Sequence, residues 1–149
     1  MSNLFDISGK VAIVTGGAGT LGSSISECLA LHGVKVVVLG RDFANAELEA
    51  EKIREMGGEA MAVSADVMDI DQLNEAEKRV TDHWGRIDIL VNTAGGNIPG
   101  ATIGTDQSIF DMNLEDYKKV VDLNLNGTVY PCLVFGKSMA KTGSGSIIN

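Results

Sequence analysis

Proline and cysteine are nearly missing from this chain, with two of each among 149 residues. Cysteines this sparse exclude a disulfide framework, and Cys28 and Cys132 form no C-x-x-C pair. Both fall in apolar helical patterns and are expected to be reduced, packed thiols rather than ligands or nucleophiles. The two histidines, His32 and His83, are isolated near the ends of predicted helices. That position suits a surface or capping role, and no metal is expected. Basic residues are also scarce, 12 against 20 acidic, for a net charge of −8. A general nucleic-acid surface needs clustered Lys and Arg and is excluded. A small anionic ligand is not, since a helix N-terminus and one or two cations suffice for it. No apolar run approaches the ~20 residues of a membrane span. The start, Met1-Ser-Asn-Leu-Phe-Asp6, has neither the basic nor the apolar segment of a secretory signal. The expectation is a cytoplasmic protein with no membrane partner.

What the chain has in abundance is glycine, 18 residues without a repeat, and a 44% hydrophobic content. Together these point to a packed core with many tight turns. The length fits one domain, residues 1–149. Short apolar runs alternate with amphipathic segments. Strands are predicted over Lys10–Thr15, Val34–Leu39, Ala60–Ser64, Ile87–Asn92 and Ser146–Asn149. Helices are predicted over Leu21–His32, Ala44–Met56, Ile70–Trp84 and from about Asn113 to Lys141. The first helix shows Leu21, Ile25, Cys28 and Leu29 at helical spacing, and Gly33 ends it. The third carries Leu73, Ala76, Val80 and Trp84 on one side. Pro131 inside the last helix removes a hydrogen bond and is expected to bend it. The section Gly95–Gln107 reads as a loop. Near-continuous apolar strands separated by helices imply a parallel sheet covered on both faces.

The densest signal is Val11-Ala-Ile-Val-Thr-Gly-Gly-Ala-Gly-Thr-Leu-Gly22. A strand runs into a glycine turn and then directly into a helix. Glycines let the backbone approach a pyrophosphate, and the following helix offers free N–H groups and a positive dipole end. No Gly-Lys-Ser/Thr follows, so a P-loop phosphotransferase is excluded.

Further stations recur downstream: Asp66, then Asn92-Thr93-Ala94-Gly95, then Asn124 within Leu123-Asn-Leu-Asn-Gly127. With Thr15-Gly16-x-x-x-Thr20-x-Gly22 they resemble the short-chain dehydrogenase/reductase family in order and rough spacing, over essentially the whole chain. The resemblance implies a Rossmann-type, doubly wound α/β/α fold with strand order 3-2-1-4-5. It also implies an NAD(P)-dependent oxidoreductase that interconverts an alcohol and a carbonyl. Cofactor-binding positions carried over are Thr15, Gly16, Gly19, Thr20, Leu21 and Gly22 in the first turn. Arg41 follows strand two, Asp66 and Val67 follow strand three, and Asn92, Ala94 and Gly95 close strand four. Thr20 stands where the family usually has glycine, so its hydroxyl is expected to meet a phosphate instead. Asp66 matches the acid that hydrogen-bonds the adenine amino group, although by position it could equally cap the next helix. Asn124 matches the asparagine of the catalytic tetrad, which perturbs its helix and holds a water in the proton relay.

The end of strand two bears on the cofactor. An acid about 20 residues past the glycine loop reads the ribose 2′-OH of NAD. Here that position holds Gly40, followed by Arg41 and Asp42. A missing acid leaves room for a 2′-phosphate, and a guanidinium suits it. NADP is therefore expected, with NAD as the alternative because Asp42 could itself reach the ribose.

The serine, tyrosine and lysine of the tetrad are absent up to Asn149. Tyr117 and Tyr130 are followed four positions on by Val121 and Val134, not lysine. The 149 residues are therefore expected to be the front portion of a longer enzyme and to be inactive alone, since proton transfer to a carbonyl has no agent. The loop Gly95–Asp111 and the stretch Leu123–Thr128 with Pro131 resemble the branch described as D-mannonate or fructuronate oxidoreductases, which implies a sugar-acid or polyol substrate. A homodimer or homotetramer is implied, with the long helix at the interface through Val129, Phe135 or Met139. The rival reading is a non-catalytic dinucleotide-binding or interaction module.

Overall fold

A computed structural model describes residues 5–149. Met1–Leu4, most of the segment searched for a targeting signal, lie outside the described residues. The strands are β1 Val11–Thr15, β2 Lys35–Gly40, β3 Ala60–Ser64, β4 Ile89–Asn92 and β5 Ser146–Ile148. They form one parallel sheet in the order β3-β2-β1-β4-β5, the order expected from the sequence. Val14 at the centre pairs with Val38 on one side and Val91 on the other. The helices are α1 Thr20–Leu31, α2 Phe43–Glu55, α3 Ile70–Trp84 and α4 Leu114–Thr142.

Alternate strand residues face opposite layers, which explains why the apolar runs are continuous. Ala12, Val14, Val36 and Val38 pack with Ala30 of α1 and with Ala46, Ala50 and Ile53 of α2. Val11, Ile13, Val37 and Leu39 pack with Leu73, Ala76 and Val80 of α3 and with Val134, Phe135 and Met139 of α4. Each fully buried Ile, Leu or Phe side chain contributes about 1.5–3 kcal/mol relative to exposure.

Two readings of the helix faces need correction. On α1 the buried residues are Gly22, Ser26 and Ala30, while Leu21 and Cys28 are exposed. Small residues line that face because the helix starts flush against the glycine turn. A Cβ on Gly22 would stand 2.2 Å from the Gly16 carbonyl oxygen. Cys28 is thus a free but exposed thiol, whereas Cys132 packs partly against the core. On α4, Phe135 and Met139 belong to the core and cannot serve an interface. The exposed apolar stripe runs instead through Leu114, Tyr117, Val121, Leu125, Val129 and Leu133. α4 runs without a break through Pro131, which is buried. Four residues earlier stands Gly127, buried against Val67.

The segment read as a loop holds two short 3-10 turns, Pro99–Ala101 and Ile109–Asp111. It is tied to the start of α4 by the Asn113 N–H, which donates to the Gly100 carbonyl at 3.0 Å. His32 closes α1, its Nδ1 lying 2.8 Å from the Cys28 carbonyl oxygen, and His83 sits edge-on to Trp84. Among the described residues, no helix is long and apolar enough to cross a membrane.

Candidate functional site

The chain leaves β1 for β2 and β3 on one side, then returns to β4 and β5 on the other. Open α/β sheets bind ligands at such a reversal, beyond the carboxyl ends of the strands. Here that place is an open cleft of about 680 Å³. Gly16, Ala18 and Gly19 of the first turn line one wall, Gly40, Arg41, Asp42 and Asn45 a second, and Thr93, Ala94 and Gly95 a third. A smaller hollow of about 140 Å³ adjoins it, reaching Ala65, Asp66, Val67 and Leu123.

The first turn is shaped by close approach. Gly16 has φ +63°, and a Cβ there would lie 3.0 Å from the backbone of Ala94. The two turns therefore touch through their main chains, and no side chain fits between them. Thr15, fully buried, holds that contact. Its Oγ1 accepts from the N–H groups of Thr93 and Ala94, both at 3.2 Å.

The helix that follows is unlike its neighbours. Asp42 caps α2, Asp69 caps α3 and Asn113 caps α4, each side chain accepting from first-turn N–H groups. α1 has Gly19 at its cap position, no capping side chain and no acid in its first turn. Its leading N–H groups and positive dipole end are left for an external anion. Thr20 opens this helix, and its hydroxyl donates to no described residue. Leu21 beside it is 73% exposed.

At the end of β2, Gly40 leaves open space, since a Cβ there would meet nothing within 4 Å. The Arg41 side chain is exposed and forms no hydrogen bond or ion pair with any described residue; only its carbonyl is used, accepting from Ser64 Oγ at 3.1 Å. Asp42 is engaged. Its Oδ1 accepts from the Asn45 N–H at 3.2 Å and its Oδ2 from Asn45 Nδ2 at 2.8 Å.

Asp66 does not cap α3; Asp69 does, accepting from Asp71 and Gln72. Asp66 lines the smaller hollow, with Oδ1 accepting from the Met68 N–H at 2.9 Å. Asn92 points away from the cleft. Its Nδ2 donates to Asn149 Oδ1 at 2.8 Å and reaches Cys132 Sγ at 3.3 Å, so it joins β4 to α4 and β5. Asn124 clasps the third wall. Its Nδ2 donates to the carbonyls of Gly96 and Val120, both at 2.8 Å, and its Oδ1 accepts from the Gly96 N–H at 3.3 Å.

The structure thus gathers Gly16, Gly19, Arg41, Asp66, Val67, Ala94 and Gly95 around one opening. Thr15 and Gly22 lie behind it as supports, and Asn92 faces elsewhere. Sequence reasoning missed Ala18, Asn45, Ala65 and Leu123 as lining residues.

A parallel sheet in this order, with a glycine turn at its reversal, defines a Rossmann-like α/β fold. The chain belongs to the short chain dehydrogenase family, which its residues 10–149 match. It is 38% identical over 152 residues to the uncharacterized oxidoreductase UxuB of Bacillus subtilis (strain 168), covering 97% of this chain and 55% of that protein. A provisionally assigned D-mannonate oxidoreductase from Haemophilus influenza with bound NAD superposes with a TM-score of 0.83 at 30% identity, over 90% of this chain and 51% of that one. A metagenomic short-chain oxidoreductase in complex with NADP gives a TM-score of 0.83 at 28% identity, over 97% and 62%. The chain spans about half the length of the curated relatives it matches.

Proposed function

We propose that these residues form the dinucleotide-binding part of an NAD(P)-dependent oxidoreductase that interconverts an alcohol and a carbonyl, with NADP preferred. The observation that carries this reading is the uncapped start of α1, aimed at the cleft where the two turns meet. A bound nicotinamide cofactor would supply hydride acceptance or donation. The N–H groups of α1 and the Thr20 hydroxyl hold the pyrophosphate, and Gly16, Gly19 and Gly22 allow the backbone to come close. Leu21 offers an apolar surface beside them. Asp66 and Val67 hold the adenine, and Ala94 and Gly95 border its ribose. Open space at Gly40 and the unengaged Arg41 guanidinium favour a 2′-phosphate, while Asp42 is occupied elsewhere.

Asn124 is the catalytic-tetrad member present. Its side chain fixes the Gly95–Gly96 turn and bonds into its own helix at Val120, which leaves it acting on the proton relay through position. Neither Tyr117 nor Tyr130 has a lysine four positions on, so the 149 residues alone are inactive in proton transfer. The substrate proposed is a sugar acid or related polyol, supported by the resemblance of the long loop after Gly95 and by the name of one structural relative. The exposed stripe on α4 supports a homodimer or homotetramer, and the protein is read as cytoplasmic.

Titrating the chain with NADPH and NADH by fluorescence tests the cofactor reading. NADPH should bind about tenfold tighter, and Arg41→Ala should remove most of that difference. Equal binding overturns the NADP preference, and binding of neither overturns the dinucleotide reading. A screen of sugar acids with a chain carrying a Tyr-x-x-x-Lys segment tests the substrate class.

A further inference from the structure

Arg41 and Asp42 are adjacent, exposed and of opposite charge, yet they do not pair. The reason lies three residues on. Both carboxylate oxygens of Asp42 are taken by Asn45, one by its backbone N–H at 3.2 Å and one by its side-chain Nδ2 at 2.8 Å. The backbone bond is an N-cap that any residue at 45 would make. The second bond needs a side-chain donor at 45, here the Asn45 amide, and it fixes the second oxygen over the first turn of α2.

Released from that bond, the Asp42 carboxylate is free to turn within the wall of the cleft that it shares with Arg41. It can turn to a ribose 2′-OH, which favours NAD, or to the Arg41 guanidinium, which weakens the grip on a 2′-phosphate. Both movements change selectivity in the same direction. Space does not oppose them, because Gly40 leaves its surroundings open.

We propose that Asn45 is a cofactor-specificity residue: by holding the Asp42 carboxylate on α2, it keeps Arg41 available to a 2′-phosphate and withholds an acid from a 2′-OH. The proposal rests on the reading of the cleft as an NADP-preferring dinucleotide site. It makes Asn45 a positioning residue that acts through Asp42 and touches no reacting atom.

The test compares the wild-type chain with Asn45→Ala and with the double variant Asp42→Asn/Asn45→Ala. Affinities for NADPH and NADH are read by fluorescence. Those for 2′,5′-ADP and 5′-AMP, which carry only the adenosine end, are read by calorimetry. Asn45→Ala should lower the NADPH/NADH affinity ratio by about three- to tenfold, the worth of one such hydrogen bond. It should lower the 2′,5′-ADP/AMP ratio equally, and the thermal midpoint should hold because the backbone cap survives. The double variant should restore the ratio, since the released group has no charge. An unchanged ratio in Asn45→Ala overturns the role of Asn45, as does a drop that persists in the double variant. A wild-type chain that binds neither dinucleotide, or both equally, overturns the underlying reading instead.

Discussion

Thr15 and Thr93 hold each other by reciprocal hydrogen bonds: Thr93 Oγ1 donates to the Thr15 carbonyl at 2.5 Å, and Thr15 Oγ1 accepts from the Thr93 N–H at 3.2 Å. The ends of β1 and β4 are adjacent strands in the sheet, so this clasp joins the glycine turn to the turn at Ala94 across the floor of the cleft. Thr15→Val keeps the shape but leaves the Ala94 N–H without its acceptor, while the Thr93 N–H keeps the Thr15 carbonyl at 3.3 Å, and should cost about 1–3 kcal/mol. Thr93→Val loses one donor to a carbonyl and should cost about 1 kcal/mol, with Thr93→Ser recovering most of it. Urea unfolding measures both. A smaller loss for Thr15→Val than for Thr93→Val would remove the buried hydroxyl from its proposed place in the clasp.

Asp88 is 3% exposed and supports β1 from the start of β4. Burial pushes its carboxyl up, but the Arg86 guanidinium, the Val11 N–H at 2.9 Å and the nearby Lys10 charge outweigh burial and hold it below its ordinary 3.8. A carboxyl lowered in the fold adds stability above its unfolded value. That stability is lost as pH falls through the folded value. Unfolding free energy should therefore fall as pH drops below the ordinary carboxylate range. Asp88→Asn should flatten that limb and cost about 1–3 kcal/mol at neutral pH. An acid limb identical in the two proteins would show that other carboxylates set it.

The sheet order and the alternation of layers were legible because the strands are short, mostly apolar runs and each helix is followed by glycine. The glycine turn, Asp66 and the turn at Ala94 were legible as a set because their order along the chain carries the pattern. What periodicity could not show was which side of a helix faces inward when the contact is made by small residues. On α1 the apolar count pointed to Leu21 and Cys28, while Gly22, in close approach to Gly16, and Ser26 form the buried face. On α4 apolar residues occur all round, so Phe135 and Val129 looked alike until the core on one side separated them. The engagement of Asp42 by Asn45 is a side-chain choice between competing partners, which spacing alone leaves open.

Glu49 on α2 is pushed above its ordinary 4.5, first by burial and further by the neighbouring Glu27 carboxylate, with the Lys52 ammonium opposing. Lys52 is itself paired to Glu27. A carboxyl raised in the fold opposes stability once it ionises, so this contribution grows more favourable as pH falls from neutral towards 4.5. The sign is opposite to that of Asp88. Glu49→Gln keeps the shape without the charge and should raise stability at pH 7 by up to about 1 kcal/mol, with the gain vanishing near pH 4. Thermal melts at the two pH values check this. Destabilisation at pH 7 would mean that Lys52 needs both carboxylates.

Gly95 and Asn124 should prove energetically coupled. A Cβ on Gly95 would stand 2.5 Å from Asn124 Oδ1, so Gly95→Ala displaces the amide and breaks its bonds to the Gly96 backbone. The displaced group is the end of a side chain and can swing away. The cost should therefore be about 1–2 kcal/mol, the worth of the lost hydrogen bonds rather than of a backbone clash. Asn124→Ala removes the same bonds and should cost a similar amount. In the double variant the added methyl meets nothing and no further bond is lost. The two effects should then fall short of their sum by about 1 kcal/mol, well beyond the ~0.3–0.5 kcal/mol within which independent sites add. Amide exchange at Gly96 should rise in all three variants to the same degree. Additive losses would show that Gly95 is needed for the turn itself, and that Asn124 holds Gly96 without depending on its neighbour.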